Sequence, residues 1–272
     1  MRAPGVVHHG TRRRRAAYRR ALWSGAEVLV TVGVVLLLLV VHQLWWTNRE
    51  ARQGAERKVQ ALEREWGAQD RGDAGPGASS GPGADSGGSG AGSGAGKAAR
   101  TRAAGRTDGS GSGGGSGQER PRWSQAYAVL RIPRLSLRVP VAEGVGKADV
   151  LNKGYVGHYK GTQQPGQAGN FALAGHRNTH GEPFRYLPRL RRGDTITVET
   201  NAAVYTYTVD RTLPRTSARD VGVIRPVPRS TVRPSYGYSE PGYYITLTTC
   251  TPEYTSRYRM AVWGKLTSVR AR

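Results

Sequence analysis

Cys250 is the only cysteine of the chain and closes the run YYITLTTC over residues 243–250. At strand spacing Thr246, Thr248 and Cys250 fall on one face, and Ile245, Leu247 and Thr249 on the other. Thr251-Pro252 then breaks the ladder, which leaves the thiol at a strand end beside a loop, where a substrate can approach. A thiol of ordinary pKa is only slightly ionised at neutral pH, so a nucleophilic cysteine needs a base or cation beside it. Beyond the N-terminal region the histidines are His158, His176 and His180. His176 follows the apolar run NFALAG and so takes the same strand-end position in its run that Cys250 takes in its own. It is the favoured partner, whereas His158, in GYVGHYKGT, reads as a turn or packing residue. His176 and His180 stand four apart, which on a helix would suggest paired metal ligands. Asn178, Gly181 and Pro183 instead make this segment a loop, with no cysteine or acidic cluster to complete a site, so neither metal nor cofactor is expected. Arg257 and Arg259 share a parity opposite to Tyr258, Met260 and Val262; if the latter line a core, both arginines face outward. An outward arginine beside a Cys-His pair can hold a substrate carbonyl or an oxyanion, or be a solvated charge; parity alone does not choose.

Short β-branched and apolar runs position these residues: AYAVLRI, LRVPVAEGV, NFALAGH, DTITVET, AVYTYTVDRTL, YYITLTTC and RYRMAVWGKL, separated by Gly, Pro, Asn and Asp. The pattern predicts an all-β domain, an antiparallel closed barrel or a sandwich, with short helices near residues 146–153 and 183–192. Residues 121–272 form this domain, and the roughly 150 residues from Trp123 onward suffice to bury a core without a disulfide or metal.

The preceding residues have other tasks. Segment 1–21 is basic, with Arg12 to Arg15 in one run. Residues 22–46 are apolar except near their ends, and about 20 residues at roughly 1.5 Å each span the ~30 Å hydrocarbon layer. The basic flank places the N-terminus in the cytoplasm and the C-terminal domain outside, with Trp45 and Trp46 at the far interface. The length of the run and the absence of a small-residue cleavage site argue for a retained plasma-membrane anchor rather than a signal peptide. Residues 47–69 are charged and extend the helix for a few turns, with no legible function. Residues 70–120 are rich in Gly, Ser and Ala, a composition that stays disordered; about 50 such residues make a linker with a root-mean-square span near 40 Å. The net charge of +22 would raise nucleic-acid binding, but many of the basic residues flank the span and no Arg/Lys-rich helix or aromatic stacking motif accompanies the rest, so no nucleic-acid partner is expected.

LTTC after a β-run, AGHRNTHGEPF upstream and an arginine nine residues after the cysteine resemble the sortases. The resemblance runs over about residues 125–266 and is nearest to the class E, housekeeping sortases of high-GC Gram-positive bacteria. It implies an eight-stranded β-barrel and a cysteine transpeptidase that cuts a C-terminal sorting signal of LAxTG or LPxTG type between Thr and Gly. In that reading Cys250 forms a thioester, His176 moves the proton, Arg259 holds the substrate near the oxyanion and Thr249 helps position it. The partners implied are secreted proteins bearing the signal and the amine of a peptidoglycan precursor. The alternative is a non-catalytic, membrane-tethered wall-binding module with a structural Cys250.

Overall fold

The structure, a computed structural model, describes residues 10–72 and 121–272. The greater part of the expected linker, residues 73–120, lies outside the described residues, as do the first nine of the basic segment. Among the described residues, 10–66 and 121–272 belong to one compact unit, and the contacts described below lie within it.

One helix, α1, runs over Gly10–Gly72. Its apolar part is exposed, and Leu22–Ala68 is the one helical stretch among the described residues long and apolar enough to cross a membrane. The charged segment that follows is amphipathic. Ala51, Ala55, Val59, Leu62 and Trp66 are buried, and their spacing of three and four residues puts them on one face. Val59, Leu62 and Trp66 pack against Ala126, Val129, Ala142 and Val150 of the all-β domain. Burying a side chain of this size contributes about 1.5–3 kcal/mol, whereas an exposed ion pair gives about 0–1 kcal/mol. Apolar packing therefore dominates this docking, with Glu63 adding ion pairs to Arg131 and Arg138.

The domain is a closed barrel of eight strands: β1 (Ala126–Ile132), β2 (Leu137–Glu143), β3 (Val156–His158), β4 (Gly169–Ala174), β5 (Thr195–Glu199), β6 (Ala203–Ser217), β7 (Tyr243–Thr251) and β8 (Tyr258–Ala271), joined in the order β1-β2-β3-β4-β7-β8-β6-β5. The pairing departs from the purely antiparallel expectation at two seams, β2–β3 and β4–β7, which are parallel. A parallel pair requires a crossover. Residues 144–155 supply one, and the long excursion through β5 and β6 supplies the other. The expected short helices are single 3-10 turns at Leu151–Lys153 and Leu187–Arg189, with two more at Pro133–Leu135 and Val221–Ile224.

Several strands are apolar on both faces because both are covered. In β1, Leu130 and Ile132 enter the barrel core while Val129 meets α1. In β8, Met260 and Val262 point inward, while Ala261 and Trp263 pack outside against Leu213 of β6 and against Val223 and Tyr238 of the excursion between β6 and β7. That excursion is fixed by buried Asp220, which accepts hydrogen bonds from Thr216 Oγ1 (2.6 Å), Ser230 Oγ (2.5 Å), and Thr231 N and Oγ1 (both 2.9 Å). Burial alone would raise its pKa, but these four donors more than offset it and hold the carboxyl below its ordinary value.

Candidate active site

Strand register brings the predicted residues to one level of the barrel. β4 and β7 run parallel with Ala174 opposite Thr248, and Gly175 N donates to Thr248 O at 3.1 Å. The next residue, His176, therefore leaves β4 at the height of Cys250. On the other side of β7, Cys250 is the direct antiparallel partner of Arg259. The neighbouring pair is Thr249 and Met260, and Met260 lines the core. By alternation Cys250 and Arg259 face outward together. Cys250 is half-buried and free.

His176 is held from two sides. Its Nε2 lies 2.9 Å from Asn152 Oδ1, a carbonyl oxygen that only accepts and so favours the tautomer with the proton on Nε2 and the lone pair on Nδ1. His180 stacks on it at a centroid separation of 5.4 Å. Burial first, then the neighbouring His180 and Lys147, lower its pKa to about 4. At neutral pH the ring is uncharged and able to take a proton. Gly175 is needed just before it: a Cβ there would meet the Phe184 ring at 2.7 Å, and Phe184 N closes the loop by donating to His176 O at 3.0 Å.

Arg259 donates from Nη1 to Ser256 O (2.8 Å) and Tyr258 O (3.0 Å), which fixes a guanidinium whose five donors exceed those two bonds. Arg257 precedes β8, is exposed, and rests over the Tyr258 ring. Thr249 takes the inward parity. It is buried, and its hydroxyl donates to Gly175 O at 2.8 Å, tying β7 to the residue before His176. His158 lies apart, buried in β3, with Nδ1 2.6 Å from Glu143 Oε2 and Nε2 3.1 Å from Gln163 O; it is a packing residue, as expected.

A sortase-domain profile matches residues 130–267. Sortase SrtE1 of Streptomyces coelicolor is 40% identical over 251 residues, which cover 90% of this chain and 57% of that protein. Sortase SrtE2 of the same organism is 33% identical over 271 residues, covering 96% of this chain and 88% of that one. The chain belongs to the sortase family. Among solved structures, that of sortase E1 from Streptomyces coelicolor with a tripeptide in the active site is similar, with 51% identity and a TM-score of 0.52 over 55% of this chain and 92% of that chain. These relatives bear out the likeness to class E, although the chain spans only 57% of the length of SrtE1.

Around the rung, this sortase carries polar residues that sequence reasoning passed over. Arg177 Nη1 donates to Cys250 O at 3.3 Å and Thr251 Oγ1 at 3.0 Å, bridging the ends of the histidine and cysteine strands. Tyr159 OH lies 3.0 Å from Thr248 Oγ1, which itself donates to Leu173 O. Burial raises the Tyr159 pKa, and Arg259 and Cys250 are near enough to act on it. Asn152, in a Leu-Asn-Lys-Gly turn, had no signal beyond its turn-forming type.

Proposed function

We propose that this sortase is a single-pass plasma-membrane transpeptidase, with its N-terminus in the cytoplasm and its catalytic domain outside, acting on proteins that end in a sorting signal of LAxTG or LPxTG type. Cys250 Sγ attacks the Thr carbonyl carbon, with Arg259 holding the substrate and countering the oxyanion. The tetrahedral species collapses with cleavage of the Thr–Gly C–N bond. His176, having taken the thiol proton, delivers it to the leaving glycine nitrogen. The thioester is then attacked by the amine of a peptidoglycan precursor, His176 takes the amine proton, and Cys250 leaves as the restored thiol. Water in place of the amine gives hydrolysis.

The single observation that carries this reading is the rung itself: the end of β4, Cys250 and Arg259 at one level on the outward face. It also favours this reading over the wall-binding module with a structural cysteine, since a structural thiol gains nothing from a half-buried strand end opposite an anchored arginine. The cellular test is a secreted reporter ending in the signal, expressed with the wild-type chain or with Cys250→Ala. Covalent recovery of the reporter in the wall fraction with wild type alone supports the proposal; equal recovery with both excludes it.

A further inference from the structure

Both groups that hold His176 rest on α1 between Asn48 and Trp66. On one side, the turn bearing Asn152 is flanked by Val150 and Leu151, which pack on Val59, Leu62 and Trp66. It ends in Gly154, whose φ of +78° and approach to Ala51 O (2.8 Å from an added Cβ) leave no room for a side chain. On the other side, His180, Gly181 and Glu182 form a run of three left-handed residues, with φ of 52°, 83° and 52°. Non-glycine residues reach that conformation only at a cost of about 1–3 kcal/mol each, so it persists where the surroundings impose it.

What imposes it is α1. Asn48 Oδ1 accepts from Gly181 N (3.3 Å), and Arg52 Nε donates to Gly181 O (3.1 Å). Asn48 Nδ2 donates to Glu182 Oε1 (3.0 Å), and Arg52 Nη2 donates to Glu182 Oε2 (2.8 Å). Glu182 is buried and also accepts from Arg185 Nη1 at 2.8 Å, while Arg185 reaches Glu253 and Tyr254 in the loop between Cys250 and Arg259. One buried carboxylate thus joins the membrane-proximal helix to the loops on both sides of the rung.

We propose that Asn48 and Arg52 of α1, acting through Glu182, are positioning residues that set the His176 loop against Cys250, so that the helix leaving the membrane is part of the catalytic apparatus. The inference rests on the transpeptidase reading for its kinetic consequence but not for the clamp itself.

The test uses the full chain in detergent or nanodiscs. Arg52 is more than half exposed, so Arg52→Ala keeps the fold; Asn48→Ala is the second variant and Glu182→Gln the third. Against a Leu-Ala-x-Thr-Gly peptide, Arg52→Ala is expected to lower kcat about ten-fold with KM changed less than about two-fold, the signature of a misplaced catalytic group. The Arg52→Ala, Glu182→Gln double variant is expected to lose less than the product of the two single losses, because the two share the Arg52–Glu182 contact. Independently of turnover, amide hydrogen exchange over residues 178–184 is expected to quicken in Arg52→Ala and Asn48→Ala. Unchanged exchange in both would overturn the clamp, whether or not the wild type is active. Faster exchange with an unchanged kcat in an active enzyme would overturn the positioning role. A wild type that forms no acyl adduct would overturn the transpeptidase reading and the positioning role with it, while the exchange result still decides the clamp.

Discussion

Cys250 on β7 and Arg259 on β8 are direct cross-strand partners on the outward face of the barrel, and the guanidinium is anchored by the carbonyls of Ser256, in the connection between the two strands, and Tyr258, the first residue of β8. A charge fixed in this way needs no reorganisation when an anion develops beside the sulfur, which is the condition under which such a group lowers a barrier most.

Arg259→Ala should therefore lower kcat by about 100-fold, comparable to the loss of an oxyanion donor elsewhere. Arg257, outside the strand and over the Tyr258 ring, should tolerate alanine within about two-fold. Steady-state rates with a sorting-signal peptide decide between them, and equal losses would remove the distinction drawn from the register.

Asn152 sets the tautomer of His176 and contributes no charge. In the native protein His176 stays neutral down to a pH of about 4, below its unfolded value near 6.5. Between those limits the unfolded chain binds a proton that the native state refuses, so this group's contribution to stability falls as pH drops through the window. Asn152→Asp would put an anion against Nε2, favour the imidazolium and move the titration of His176 upward. NMR titration of the imidazole, with thermal melts at pH 7 and pH 5, checks both directions; a midpoint that moves down would contradict the assigned contact.

Which parts were legible in the sequence follows from what each signal depends on. Cys250 and His176 stood out because a proline break and a strand end are local features, whereas Arg259 was separated from Arg257 only by the resemblance to sortases. The β-branched and apolar runs read as strands of an all-β domain, and the eight-stranded barrel bears that out. The parallel seam of β4 with β7 did not show, because pairing direction is decided by a crossover of almost seventy residues. The docking face of α1 was hidden for another reason: two of its five buried residues are alanines, set among Glu, Arg and Lys, so hydropathy sees a charged helix. Asn152, Arg177 and Tyr159 make their contacts with residues distant in sequence, His176 and strand β7, which no spacing rule reports.

Thr249 resembles a substrate-positioning residue, yet its buried hydroxyl is given to Gly175 O. Thr249→Val should cost about 1 kcal/mol of stability through that lost bond, with Thr249→Ser nearly neutral and KM little changed in both. Denaturant titration and peptide kinetics together test this. A raised KM at unaltered stability would restore direct contact with substrate.

Asp220→Asn should destabilise by about 2 kcal/mol, since a charged acceptor of several hydrogen bonds is replaced by a neutral one. Because the native carboxyl is held below its ordinary pKa, its contribution is present above the unfolded value near 3.9 and is lost as pH falls through the native one. The gap between wild type and variant in urea midpoints should therefore narrow on strong acidification; a gap independent of pH would contradict this account.

The measurement closest to the central claim is intact-mass spectrometry of the purified protein incubated with a Leu-Ala-x-Thr-Gly peptide, with and without an amine acceptor. The account predicts an acyl adduct mapped to Cys250 that is discharged to a transferred product when the amine is added, and no adduct with Cys250→Ala. Neither adduct nor cleavage across a panel of related signals would contradict it and return the chain to the reading of a tethered binding module.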